Sequence, residues 1–342
     1  MSSYIRCVLH TCRRFVAWQN NHPPLEVPDA YVARYPAGPR RTTINGMSAF
    51  LDDSMRNLTA ALHAKGMWET ALLVFSGDNG GYLGYGGDDA PLRGGKFSDF
   101  EGGVRVPSFA VGGLLPMAVR GKALRGPSAY IHIADWAPTF LALAGVASPF
   151  ADARAAKAGL PPIDGLDVWP LLSGANLTSP RTHVPLSVLP SSLPAARHGV
   201  ALNSGAAAAA GRQYRDPNYY VGGEGLIHGR YKLVRGFQHR GPASKTSNAS
   251  CAAQQPKSAA GWQAGDEGVQ CTCGEVGCLF DLVADPHETK DVAAAQPQLM
   301  KELRARLEAV RATVYAPDRG PLEQAACDVI DDRYGGFWGP WL

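Results

Sequence analysis

Four side chains in this sequence have types and positions suited to oxyanion chemistry: Asp78, Asn79, Lys96 and His22. Asp78 and Asn79 follow a short apolar run, Ala71 to Phe75, within FSGDNGG. A carboxylate beside an amide offers two oxygens to a hard cation such as Ca²⁺ or Mg²⁺. The flanking glycines let the backbone turn sharply and leave room for an anion. Pro91-Leu92-Arg93-Gly94-Gly95-Lys96 then brings two cations to the same loop region, and such groups suit an oxyanion. His22 stands in the turn Gln19-Asn20-Asn21-His22-Pro23-Pro24. Read by itself, a histidine in such a turn is a surface residue; at the end of a strand it is a further candidate for the site.

These residues need elements to hold them. The run Ala71 to Phe75 reads as a strand buried on both faces, which puts Asp78 and Asn79 just past its carboxyl end, where open α/β sheets bind ligands. Arg14 to Trp18 reads as a strand leading into the His22 turn, where the proline disfavours helix. Met47, Leu51, Met55, Leu58 and Leu62 form an apolar stripe at helical spacing that ends near Gly66. Asp52 and Asp53 lie off that stripe and read as a solvated face. Val104 to Val111 is a strand interrupted by Pro107, and a helix beginning in Tyr130 to Pro138 ends at Gly145, with Pro138 in its first turn. His132 and Asp135 read as structural. Ala206 to Ala210 and roughly Ala243 to Gly268 read as surface insertions. Tyr231 to Val234 and Cys278 to Leu282 read as short strands and Pro286-His287-Glu288 as a turn. Leu299, Leu303, Leu307, Val310 and Val314 then mark an amphipathic helix. Together they predict a small antiparallel sheet packed with one helix.

A formal charge of +3 with 18% charged residues over 342 residues gives no electrostatic case for nucleic acid. No run approaches the about 20 apolar residues of a membrane helix. The cysteines are Cys7, Cys12, Cys251, Cys271, Cys273, Cys278 and Cys327. They read chiefly as disulfides, with free thiols and a zinc site as alternatives, since Cys271-x-Cys273-x₄-Cys278 lacks a nearby fourth ligand. Sequons stand at Asn57, Asn176 and Asn248. With the cysteines they favour a secretory, lysosomal or extracellular setting. Met1 to Arg14 has no continuous apolar core and does not read as a signal peptide.

FSGDNGG, PLRGGKFSDFEGGVRVP, IHIADWAPTFLALAG, DGLDVWPLL, HGRYKL, LFDLVADPHE and FWGPWL, in this order, resemble the sulfatase family, in particular its animal arylsulfatase B (N-acetylgalactosamine 4-sulfatase) type. The resemblance runs from about Phe15 to Leu342 and covers the later part of a full-length sulfatase. It implies an α/β fold, an alkaline-phosphatase-like mixed sheet flanked by helices, here incomplete, with a smaller C-terminal α+β subdomain. The expected division is 1–190, part of the catalytic domain, and 191–342, the subdomain. The resemblance further implies a divalent metal, normally Ca²⁺, on Asp78 and Asn79. Lys96 would contact the sulfate and its bridging oxygen, and His22 the sulfate or the leaving alcohol. The partner implied is a sulfated small molecule or glycan; no oligomeric state follows.

The family's nucleophile is a formylglycine made within C/S-x-P-x-R, and no such motif occurs in this sequence. Ser192-Leu193-Pro194-Ala195-Ala196-Arg197 has its arginine one residue too far and lies in the wrong region. The family's early Asp-Asp metal pair is also missing. Hydrolysis of carbohydrate or aryl sulfate esters is therefore expected of the family, with a catalytically dead glycan-binding or subunit-binding protein as the alternative. A phosphate-ester hydrolase of the same fold is a third reading and lacks a two-metal set. Asp88 and Asp89 depart from a purely basic loop and put acid near a site meant for an anion.

Overall fold

The computed structural model describes residues 4–8, 11–36, 38–188, 223–238, 271–314, 328–329 and 332–335. The expected insertions around 206–210 and 243–268, the sequon at Asn248, and Cys251 and Cys327 lie outside them. Strands β1 (Tyr4–Val8) and β2 (Thr11–Phe15) form an antiparallel hairpin. The expected strand at Arg14 to Trp18 therefore ends early, at Phe15, and the approach to His22 is irregular. Two helices follow, α1 (Asp29–Val32) and α2 (Pro39–Ala64). The predicted amphipathic helix is the second half of α2. Proline opens α2 at its first position, where a missing N–H is harmless. Gly66, with φ +65°, closes it: Met67 N–H reaches Leu62 O at 2.9 Å and Gly66 N–H reaches His63 O at 3.0 Å, a Schellman end.

Strand β3 (Leu73–Ser76), helix α3 (Glu101–Val104) and strand β4 (Ser108–Val111) come next. Here the structure corrects the sequence. β3 is half-buried along its whole length and, among the described residues, pairs antiparallel with β4 alone, in a two-stranded sheet. An all-apolar run looks the same whether both faces or only part of each face is covered, so burial on both faces was not legible from it. The expected strand from Val104 is likewise split, its first residue ending α3. Further on, α4 (Trp136–Leu143) ends before Gly145, whose φ is +77°, followed by α5 (Ala153–Lys157) and α6 (Trp169–Leu172).

The second region is a five-stranded antiparallel sheet: β5 (His183–Leu186), β6 (Gly223–His228), β7 (Tyr231–Gln238), β8 (Cys271–Thr272) and β9 (Cys278–Asp281). It takes its first strand from before residue 190. β7 lies between β6 on one edge and β8 and β9 on the other. Alternation along β7 divides its side chains between two faces. On one face Leu226, Leu233 and Leu279 meet Met300, Leu303 and Leu307 of α7 (Pro297–Arg311). On the other, Val234, Cys271, Cys273, Cys278 and Phe280 enclose Phe100. The antiparallel sheet packed with one helix is as the sequence predicts. Cys273 is bonded to Cys278, and Cys271 is disulfide-bonded as well, so these thiols do not form the alternative zinc site.

Candidate functional site

The Asp78 turn is built by β3 and by close backbone packing behind it. Gly77 N–H donates to Pro107 O at 3.0 Å, in the segment joining α3 and β4, and Gly80 N–H donates to Gly103 O of α3 at 2.9 Å. A Cβ on Gly80 would stand 1.7 Å from Gly102 O, so only glycine fits. Asp78 is exposed, and its Oδ1 accepts Asn79 N–H at 2.9 Å. Asn79 Nδ2 donates to Gly80 O at 2.9 Å, which leaves its Oδ1 as the acceptor for a ligand.

The Lys96 loop is tied directly to this turn: Lys96 N–H donates to Gly81 O at 3.0 Å. Lys96 Nζ lies 5.4 Å from the centre of the Phe97 ring. Asp89 spans the same gap, with Oδ1 accepting Gly81 N–H at 2.8 Å. Burial pushes the Asp89 carboxyl up to about 6, the Gly81 N–H opposing and the Asp88 charge assisting.

Arg93, expected as the loop's second cation, has a different place. It is 2% exposed, donates from Nη1 to Glu288 O at 2.8 Å, and lies over the Phe100 ring at 4.2 Å. It holds the loop to the second region. Residues the sequence did not single out complete that joint. Lys232, fully buried on β7, meets Glu101 at 3.0 Å and Glu288 at 2.9 Å. Glu288 Oε2 also accepts Glu101 N–H at 2.6 Å. Gln238 is bonded to both the N–H and the carboxyl of Asp99. Burial raises the Glu288 carboxyl, against the attraction of Lys232. Burial also lowers the Lys232 amine, but the two carboxylates outweigh it and the net shift is upward. A lysine flanked by apolar residues in Tyr231-Lys232-Leu233-Val234 was the available signal, because a strand position facing a core needs a partner for its charge.

His22 is exposed, with Nδ1 2.6 Å from Pro23 O. Its turn is pinned to α2: Asn20 donates to Met47 O at 2.9 Å and Asn21 to Ser48 Oγ at 3.0 Å. α2 in turn reaches the other loops through Arg41, which donates to Gly86 O at 3.0 Å. Direct hydrogen bonds thus join the loops of Asp78, Asn79 and Lys96, whereas among the described residues the His22 turn is linked to them by way of α2. A separate cavity of about 490 Å³, lined by His132, Asp164, Ser187, Thr313 and apolar neighbours, includes none of the four. His132 and Asp135 are structural. Asp135 is fully buried and paired with Arg181, and its other bonds go to Leu166 N–H and His132 N–H.

Two side-chain oxygens, from Asp78 and Asn79, fall short of the about six to eight that Ca²⁺ takes. Among the described residues no three His, Cys, Asp or Glu are grouped to hold a metal. The described residues therefore fit one corner of a cation site and not a whole one. Asp53, half of the pair set aside in the sequence, is engaged by Tyr31, Arg34 and Arg56.

Residues 15–146 match the family model described as Sulfatase. Over 337 residues the chain is 27% identical to Arylsulfatase J of Mus musculus, covering 96% of this chain and 49% of that protein. It is 33% identical over 136 residues to Arylsulfatase A of Homo sapiens, covering 38% of this chain and 23% of that protein. The chain spans about half the length of the first relative and less of the second. The crystal structure of Ps i-CgsB in complex with k-i-k-neocarrahexaose superposes with a TM-score of 0.57 at 21% identity, over 92% of this chain and 54% of that one. That likeness is one of fold, and it agrees with the α/β, alkaline-phosphatase-like architecture expected from the sequence.

Proposed function

We propose that this chain, whose residues 15–146 match the sulfatase family model, contributes one side of a sulfuric ester hydrolase site. Asp78 and Asn79 would hold one edge of a divalent cation, Ca²⁺ being the ion the family resemblance implies. Such a cation would neutralise charge on a sulfate's oxygens. The residues themselves have separate tasks. Lys96 presents an ammonium to a sulfate oxygen and to the oxygen of the breaking ester bond. His22 contacts the sulfate or protonates the leaving alcohol. The substrate class is a carbohydrate or aryl sulfate ester, and the finer arylsulfatase B-like assignment rests on the ordered blocks from FSGDNGG to FWGPWL. The buried disulfide Cys273–Cys278 and the exposed sequon residue Asn176 support a secretory, lysosomal or extracellular setting. Among the described residues no helix is long and apolar enough to cross a membrane.

The observation that carries this reading is the direct bond between the two loops, Lys96 N–H to Gly81 O at 3.0 Å. It ties the turn that carries Asp78 and Asn79 to the loop that carries Lys96, which supports reading them as one site. A second reading is binding of a sulfated glycan by the same turn and loop, without turnover. Turnover of a chromogenic aryl sulfate separates them. Under the first reading Lys96→Ala and His22→Ala each lower kcat/KM, by about 10²-fold or more for Lys96, the scale of one lost oxyanion contact. Under the second there is no turnover, and Lys96→Ala weakens binding of a sulfated glycan. Both readings fail if neither substitution changes turnover or binding.

A further inference from the structure

Asp89 Oδ2 is a buried oxygen in the candidate loops with no hydrogen-bond partner. Its sister Oδ1 accepts Gly81 N–H at 2.8 Å. The carboxyl fills a gap between two glycines: a Cβ on Gly81 would stand 3.2 Å from both carboxyl oxygens, and one on Gly95 2.9 Å from Oδ2. Gly81 follows the Asp78–Asn79 turn, and Gly95 immediately precedes Lys96. The Asp89 side chain therefore sits where these two segments lack side chains of their own.

We propose that Asp89 is a positioning residue that braces the Asp78–Asn79 turn against the Lys96 loop only while uncharged, so that a proton on Asp89 governs how Lys96 is offered to an oxyanion. This rests on the reading of these loops as one side of a sulfate-ester site. An enclosed carboxylate oxygen with no donor is strongly disfavoured, and a neutral carboxyl much less so. Few charged groups face Asp89. Asp88 is adjacent and repels its charge. Arg41 of α2 attracts it, but is itself engaged with Gly86 O at 3.0 Å and near Asp88 at 3.9 Å. Burial outweighs the Gly81 N–H and Arg41, consistent with the value of about 6. Ionised, the same carboxyl would set a negative charge one residue from Lys96, against any anion bound there.

A carboxyl raised on folding contributes stability that is fully present below its ordinary value. That contribution is lost as pH rises from 3.8 toward about 6. The test uses the full chain as wild type, Asp89→Asn and Asp89→Ala. Melting midpoints are read across that window, with inorganic sulfate against chloride at matched ionic strength. Asparagine keeps the acceptor for Gly81 N–H and cannot ionise. Glu288 titrates in the same direction as Asp89, so the difference between wild type and Asp89→Asn is the informative quantity. It should grow with pH and level off at about tenfold in the folding equilibrium, reduced by the solvent that reaches this half-buried residue. Sulfate should protect wild type less as pH rises and protect Asp89→Asn equally throughout. Parallel melting profiles for the two proteins, or the same pH dependence of sulfate protection in both, overturn the proposal; Asp89→Asn decides this even if Asp89→Ala fails to fold. Should the melting profiles diverge while sulfate protects neither protein at any pH, the brace stands and the sulfate-ester reading falls.

Discussion

The C-terminal sheet and the β3–β4 strand pair solve the same problem with unequal success. In the sheet, Leu226, Leu233 and Leu279 have no exposure, nor do Leu303 and Leu307 of the helix laid on them. β7 has neighbours on both edges and covered faces on both sides. Among the described residues β3 and β4 have only each other, and Phe109 on β4 remains 45% exposed although it stacks on Phe75 at 5.0 Å. Met117, Ile133 and Leu177, also before residue 183, are 76%, 68% and 88% exposed. The comparison matters because the candidate chemistry sits on the poorly covered side. The Lys96 loop gains its rigidity from the well-covered one, through Arg93, Phe100, Glu101 and Asp99. Where a loop must hold an ammonium in place without a core of its own, it borrows one.

The largest effect should come from breaking that loan. Lys232→Met leaves the carboxylates of Glu101 and Glu288 buried without their shared cation. Removing one partner of a buried ion pair costs about 3–5 kcal/mol. A denaturant melt of the full chain checks this. A loss below about 1 kcal/mol would mean that the joint is not what couples the two regions. Exchange of backbone amides around residues 93–101 should rise in the same variant, before the sheet itself loosens.

The next prediction sharpens the contrast in packing. Leu303→Ala removes a fully buried side chain from between α7 and β7, and such changes cost about 2–5 kcal/mol. Phe109→Ala removes a larger side chain but one nearly half in water, and should cost about 1 kcal/mol or less. Similar losses for both would show that the strand pair is better covered than its exposure indicates.

What the sequence made legible follows the same division. The amphipathic stripe of α7, the strands at Tyr231 and Cys278, and the turn before Glu288 could be read because each needs only local periodicity or turn chemistry. The stripe from Met47 to Leu62 gave α2 for the same reason, though its extension back to Pro39 carries no apolar signal. The burial of Arg93 was not legible. A guanidinium followed by two glycines looks the same whether it faces an anion or, as here, the Phe100 ring and a carbonyl nearly two hundred residues away in the chain. Lys232, Glu101 and Glu288 were missed because their partnership depends on tertiary contact and leaves only an isolated charge in an apolar context. The loop residues Asp78, Asn79 and Lys96 stand on two short turns bonded to each other, a proximity that their close spacing in the sequence anticipates. His22 had no comparable local tie, and among the described residues it is linked to the others through α2.

The smallest effect should come from α2's acidic pair, where the two neighbours are expected to behave differently. Asp52 is exposed, and Asp52→Asn should leave the melting midpoint unchanged. Asp53 accepts from Tyr31 at 2.9 Å and Arg34 at 3.0 Å, ties that hold α1 against α2. Those bonds, Tyr31's first and Arg34's next, hold its carboxyl below the usual range, so its contribution is present at neutral pH and lost as pH falls. Asp53→Asn should therefore lower the midpoint slightly at neutral pH and not in acid. The difference should also shrink in high salt, because exposed charges are screened there while the enclosed Lys232 cluster is not. If Asp53→Asn were as salt-insensitive as Lys232→Met, the distinction between a wet pair on α2 and a dry one beneath the sheet would have to be withdrawn.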